Sequence, residues 1–361
     1  MNVIEVIPQL IRASIEKDDN SIEVISLTIA NMIRTKHSKV AEEIDKILFN
    51  KNIGNNAYRS IGLSSIPTDK KNNENLINIK EVSKIDKPIL SKENEEQFAK
   101  FLNEQEKKLE LMKLGLKPTN SIILFGEPGV GKTYSASWLA STLGKPLVIL
   151  DLASIMSSYL GETGTNIKKV LDYAKENDCV LFLDEFDAIA KTRTDNRELG
   201  EMKRIVNVLL KELEEWPVGS IIIAATNHEE LLDKAIWRRF DLKIHLGLPN
   251  RESRKELMKR EFKDFQNNNS SMIELLAEVL EGENGAEIVR ICTDIKREYV
   301  LYNKSINDLL LEKISESIPK INKKVKINIV KHLQSQNYDI KEISELTKIP
   351  QSTLYKYNKE I

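Results

Sequence analysis

Hydrophobic positions divide the chain into stretches of different kinds. Near the start they recur at helical spacing, in VIEVIPQLIRASIE, in a segment running from the potential cap Ser21 towards Met32, and in AEEIDKILF at 41–49. The pattern predicts a small helical adaptor domain over 1–53. Composition then shifts: residues 50–80 hold eight asparagines, scattered lysines and serines, and Pro67, so 54–90 is expected to be a linker with little core of its own. A charged amphipathic helix is predicted over 91–114, opened by Ser91 with glutamates in its first turn. From Ser121 the rhythm alternates. The short apolar runs IILF (122–125), LVIL (147–150), VLFL (180–183), IIIAA (221–225) and KIHLGL (243–248) are separated by helical patterns. Apolar strands separated by helices predict a mostly parallel sheet in an α/β layer fold over 91–250. After Pro249 only helical patterns remain, read as a small helical domain over 251–319 and a terminal module over 320–361.

Composition adds exclusions. The chain has 361 residues, 41% apolar and 30% charged, which suits several domains with polar linkers. A formal net charge of −1 argues against a generally basic nucleic-acid coat. The balance is uneven, because nine lysines against four acids leave +5 in 320–361 and −6 in the rest. Two cysteines, Cys179 and Cys292, form no disulfide framework or zinc site, and a reducing cytoplasm is the expected setting. No apolar run reaches membrane-spanning length and no signal pattern opens the chain, so no membrane role is expected.

GEPGVGKT (126–133) follows the IILF strand and precedes a helical pattern. Gly126, Glu127, Pro128, Gly129, Val130 and Gly131 form a loop whose N–H groups are expected to cradle phosphate. Lys132 supplies an ammonium for the terminal phosphates, Thr133 a hydroxyl for Mg²⁺, and Tyr134 begins the helix. VLFLDEFD (180–187) ends a strand on Asp184 and Glu185. A buried strand ending this way puts one carboxylate beside the metal and one beside the attacking water. ATP and Mg²⁺ are the expected ligands, and ATP hydrolysis the expected reaction.

These residues resemble the AAA+ ATPases, and within them the AAA clade proper. IIIAATNHEE (221–230) resembles the strand that ends in a sensor residue, here Asn227. LLDKAIWRRFDLKIHLGLPN (231–250) resembles the segment carrying two arginine fingers, here Arg238 and Arg239. ENGAEIVRI (283–291) resembles the lid motif in which Gly285 and Ala286 approach adenine; no lid arginine stands at Ala286. The resemblance implies a homo-oligomeric ring, most often a hexamer. It also implies that SIMSSYLGETG carries a pore loop in which Tyr159 and Leu160 grip a polypeptide substrate.

The ends bear on the task. IVKHLQSQNYDIKEISELTKIPQSTLYKYN resembles a resolvase-type helix-turn-helix, with Gln351, Ser352, Thr353 and Tyr355 facing a groove. DNA contact through 326–361 stands against a plain lid cap or a protein-docking face. The N-terminal helices with SSYLGET, LDEFDAIAK and AIWRRFD resemble bacterial stand-alone AAA ATPases encoded beside a subtilisin-like serine protease and associated with phage defence. That resemblance implies a partner protease; the chain carries no H-E-x-x-H or G-x-S-x-G of its own.

Overall fold

The computed structural model describes residues 66–68, 75–80, 83–158, 163–191, 199–265 and 270–360, with isolated positions before residue 41. The chain divides into two compact units, Met1–Ile66 and Pro67–Ile361. The adaptor expected over 1–53 lies almost wholly outside the described residues; Val6, in a helical turn, is buried there.

The second unit is built on a six-stranded sheet. Its strands are β1 (Asn78–Lys80), β2 (Ser121–Phe125), β3 (Leu147–Asp151), β4 (Val180–Asp184), β5 (Ile221–Thr226) and β6 (Leu242–His245). Their order across the sheet is β1-β3-β4-β5-β2-β6. β2 to β6 are mutually parallel and only β1 is antiparallel, to β3. Ile122, Ile123, Leu124, Phe182, Ile222 and Ile223 are wholly buried, which explains why these strands read as unbroken apolar runs. Register between β2 and β6 is pinned by Asp241. Its Oδ2 accepts from the Ser121 hydroxyl at 2.9 Å and the Asn120 N–H at 3.2 Å.

Helices cover the sheet. α1 (Lys92–Glu106) starts at Ser91, whose hydroxyl accepts the Asn94 N–H, and stops at Lys107. The single helix expected over 91–114 is thus broken there, and α2 (Lys108–Lys113) follows. Phe98 of α1 meets Trp138 of α3 (Lys132–Thr142) edge to face at 5.9 Å. Then come α4 (Leu152–Ser158), α5 (Thr163–Glu176), α6 (Ala188–Lys191), α7 (Leu199–Glu214) and α8 (Lys234–Trp237).

The stretch expected as a linker contributes structure. β1 adds an edge strand, Leu76 and Ile77 beside it are buried, and residues 83–86 lie along α3 through the Ser141 hydroxyl, which donates to the Ser83 carbonyl and accepts the Ile85 N–H. Three residues of backbone pairing inside an asparagine-rich stretch leave almost no apolar signature.

Beyond the sheet come α9 (Arg251–Glu261), α10 (Ser270–Val279), α11 (Gly285–Tyr302), α12 (Ile306–Ser317), α13 (Lys323–Ser335), α14 (Ile340–Thr347) and α15 (Gln351–Glu360). α14 opens with a reciprocal Asp339/Glu342 capping box. One continuous core runs through all seven helices, from Met258, Leu276, Ile288 and Leu310 to Ile329, Leu333, Ile343 and Leu354. Packing therefore shows no break at 319/320. Among the described residues no helix is long and apolar enough to cross a membrane.

Candidate nucleotide site

The carboxyl ends of β2, β4 and β5 lie side by side, because β5 sits between β2 and β4 and all three run parallel. Loops leaving such ends form the crevice of an open α/β sheet. From β2 the chain enters 126–131 and then α3. Gly126 has φ +140°, and a Cβ there would stand 2.1 Å from the Leu246 carbonyl oxygen. No other residue fits between this loop and the exit of β6. Lys132 is 7% exposed, and its ammonium donates to the carbonyls of Gly126 at 2.7 Å and Glu127 at 2.9 Å. Burial pushes its pKa below the usual lysine value, opposed by the charges of Asp184 and Asp187.

Asp184 closes β4. Burial raises its pKa above the usual carboxylate range, partly offset by the Glu185 N–H, which donates to its Oδ1 at 3.0 Å, by the Lys132 charge and by the Thr133 hydroxyl. Glu185 is exposed and takes φ +50°, a left-handed turn that few non-glycine residues adopt without support. The support follows directly: the Phe186 N–H donates to the Ala225 carbonyl at 2.8 Å, and the Ala188 N–H to the Glu185 carbonyl at 2.9 Å.

Asn227 follows the last residue of β5. Its N–H reaches Asp187 Oδ1 at 3.4 Å, and the Thr226 hydroxyl donates to the same oxygen at 3.0 Å. α8 is capped by Asp233, which accepts the N–H groups of Ala235 and Ile236, and carries Arg238 and Arg239 at its end. Aromatic contacts hold this turn on both sides. Trp237 stands edge-on to Phe125 at 5.0 Å, and Phe240 edge-on to Phe186 at 5.6 Å. Arg238 is exposed. Arg239 is tied within the chain to Glu214 of α7 at 3.1 Å, and its buried Nε has no hydrogen-bond partner.

The lid reaches the loop directly. The Ala286 N–H donates to the Gly129 carbonyl at 3.0 Å, and a Cβ on Gly129 would meet the Asn284 side chain at 2.6 Å. Asn284 itself caps α11 by accepting the Glu287 N–H. Tyr134 donates to the Asp86 carbonyl at 2.9 Å.

The donor set fits the expected ligands. A buried ammonium beside a loop of backbone N–H groups suits phosphate, and a carboxylate beside a hydroxyl supplies the oxygen ligands of a hard cation. Residues 122–248 match the family described as "ATPase family associated with various cellular activities (AAA)". They form an AAA ATPase domain. Relatives include an uncharacterized AAA family ATPase, y4kL, of Sinorhizobium fredii, 38% identical over 59% of this chain and 64% of that protein. The 26S proteasome regulatory subunit S10B homolog B of Arabidopsis thaliana is 31% identical over 57% of this chain and 55% of its own length. The proteasome-activating nucleotidase of Methanothermobacter thermautotrophicus is 35% identical over 52% of this chain and 48% of its own length. The chain thus spans between about half and two thirds of these relatives.

Within the AAA domain, the structure brings Gly126, Lys132, Thr133, Asp184, Glu185 and Asn227 to one edge of the sheet. Gly285 and Ala286 meet the backbone of the phosphate loop at Gly129. Tyr159 and Leu160 lie outside the described residues. Three residues escaped the sequence reading: Asp187, Asn284 and Glu214. A buried acid three positions beyond Asp184 in D-E-F-D was the available signal for Asp187; a tie such as Glu214 to Arg239 leaves none.

Proposed function

We propose that this chain is an Mg²⁺-dependent ATP-hydrolysing motor that forms a homo-oligomeric ring, most simply a hexamer, and remodels polypeptides. The observation that carries the reading is the convergence of Lys132, Thr133, Asp184 and Glu185 at the carboxyl ends of two parallel strands, while the exposed Arg238 stands towards the opposite edge, where the Ser121 hydroxyl at the start of β2 donates to the Arg239 carbonyl at 3.4 Å. When bound, Mg²⁺-ATP supplies the terminal phosphoryl group and a cation that neutralises its oxygens. Lys132 and the loop N–H groups would orient the phosphates, and Thr133 with Asp184 would hold the cation. Glu185, exposed one residue past Asp184, accepts a proton from water, and Asn227 fixes that water's direction. Arg238, in no ion pair among the described residues, would extend to the site of a neighbouring copy, where an added positive charge can raise the rate by ~10³–10⁵.

Glu185→Gln should bind ATP, stabilise the ring and stop turnover; steady turnover by this variant sinks the mechanism. Tyr159→Ala should keep ATPase activity and lose the remodelling output, and retained output rules out threading through the ring. The expected partner is a separate protease, in a phage-defence setting, and capture with the Glu185→Gln trap tests for it.

A second reading, DNA-guided action, is favoured by one observation. Gln351, Ser352, Tyr355 and Lys356 are exposed on α15 while Leu354 and Tyr357 are buried beneath them. Since α13 to α15 share the lid core, truncation of 326–361 confounds folding with binding. Lys356→Glu is the cleaner test, and salt-insensitive behaviour with no duplex affinity at low salt ends the reading.

A further inference from the structure

We infer that Asp187 is a positioning residue that holds the Glu185 turn and Asn227 at a fixed spacing. The inference rests on the ATPase reading above. The parallel ladder between β4 and β5 pairs Val180 with Ile221 and ends at Leu183 with Ala224. Beyond that point the left-handed turn at Glu185 takes β4 out of register with its neighbour. Two residues then restore the link. The Phe186 N–H donates to the Ala225 carbonyl at 2.8 Å, and Asp187 Oδ1 accepts both the Thr226 hydroxyl at 3.0 Å and the Asn227 N–H at 3.4 Å. Residues 186 and 187 are thereby bonded to three consecutive residues at the exit of β5.

The direction of these bonds is determined. The Thr226 oxygen already accepts the His228 N–H at 3.0 Å, so its own proton is free to go to Asp187. The His228 ring is occupied with Glu230 at 3.0 Å. Asp187 is 3% exposed and Thr226 1%, so water does not compete for either group. The Lys132 ammonium feels the Asp187 charge. Asp187 thus sits below the crevice, touching the backbone that carries Asn227 and the turn that carries Glu185. Phosphoryl transfer depends on positioning, and misplacement of a water-directing group lowers the chemical rate more than nucleotide affinity.

The test is single-turnover and steady-state ATPase kinetics on the full chain with Mg²⁺-ATP. Asp187→Ala and Thr226→Val should each lower kcat about 10–100-fold with KM unchanged, while Thr226→Ser, which keeps the hydroxyl, should restore turnover. In an Asn227→Ala background, Asp187→Ala should cost less than in the wild type, because only its share through the Glu185 turn is left to lose. If Asp187→Ala does not fold, the Thr226→Val and Thr226→Ser pair decides alone. A rise in KM without a fall in kcat, a Thr226→Val variant as active as wild type, or the same Asp187→Ala factor with and without Asn227 overturns the inference. A wild-type chain that does not turn over ATP overturns the ATPase reading and this inference with it; an active wild type confines any failure to Asp187.

Discussion

Replacing Gly126 by alanine tests how tightly the phosphate loop is seated on the sheet. The added Cβ would lie 2.1 Å from the Leu246 carbonyl oxygen. Close carbon–oxygen contacts in proteins stop near 3.3 Å, so the two backbones must part by about 1 Å. Leu246 has little room to yield, because its N–H is bonded to the Phe125 carbonyl at 2.8 Å, where β2 meets the exit of β6. Gly131 is the internal control. It has φ +99° and nothing within 4 Å of its would-be Cβ. Both substitutions place alanine at positive φ, which costs about 1–3 kcal/mol. Only Gly126→Ala adds overpacking, worth a further 1–3 kcal/mol or so. Thermal unfolding of the nucleotide-free protein should therefore show Gly126→Ala melting roughly 2–12 °C below Gly131→Ala. Equal melting temperatures, or a lower one for Gly131→Ala, would refute the claim that contact with β6, and not backbone conformation alone, requires glycine at 126.

Three further outcomes are expected. Arg238→Ala should lower turnover by ~10³ or more with ATP binding intact, whereas Arg239→Ala, tied in its own chain to Glu214, should lose less; equal losses in the same ATPase assay would remove the distinction. Leu354→Ala should destabilise the lid and the terminal helices together by about 2–5 kcal/mol, since Leu354 is wholly buried in their common core, and a separate early transition in denaturant would show an independent module instead. Burial pushes both thiols, Cys179 and Cys292, up to about 12, so they stay protonated and unreactive near neutral pH. Maleimide labelling of the native protein should be negligible and appear only on unfolding; rapid labelling of native protein would contradict the packing at both sites.

β2, β4 and β5 were legible because each is buried on both faces, and five apolar runs between helical patterns leave few alternatives; β6, at the sheet edge, exposes Lys243 and His245. The phosphate loop and the Asp184–Glu185 pair were legible because their chemistry is local to short segments. What stayed hidden depends on partners distant in sequence. β1 is held by three residues of backbone pairing with β3, which no side-chain pattern records. The break at Lys107 interrupts an otherwise continuous helical pattern. Asp187 meets Thr226 and Asn227 across about forty positions, and nothing in either segment alone announces the bond. The terminal helices read as a separate basic module because charge is visible in sequence, while the shared apolar core with α10 and α12 is not.

The edge-to-face contact between Phe186 and Phe240 has a consequence for timing. Phe186 adjoins Glu185, and Phe240 adjoins Arg239, next to the exposed Arg238. In the proposed ring, the first pair would belong to a subunit's own hydrolysis centre and the second to the charge it would lend its neighbour. Rings packed edge to face shift together, so in the proposed ring a subunit that rearranges its own turn would also move the segment that carries its arginines. Neighbouring sites would then fire in relay, not independently, through a single aromatic contact.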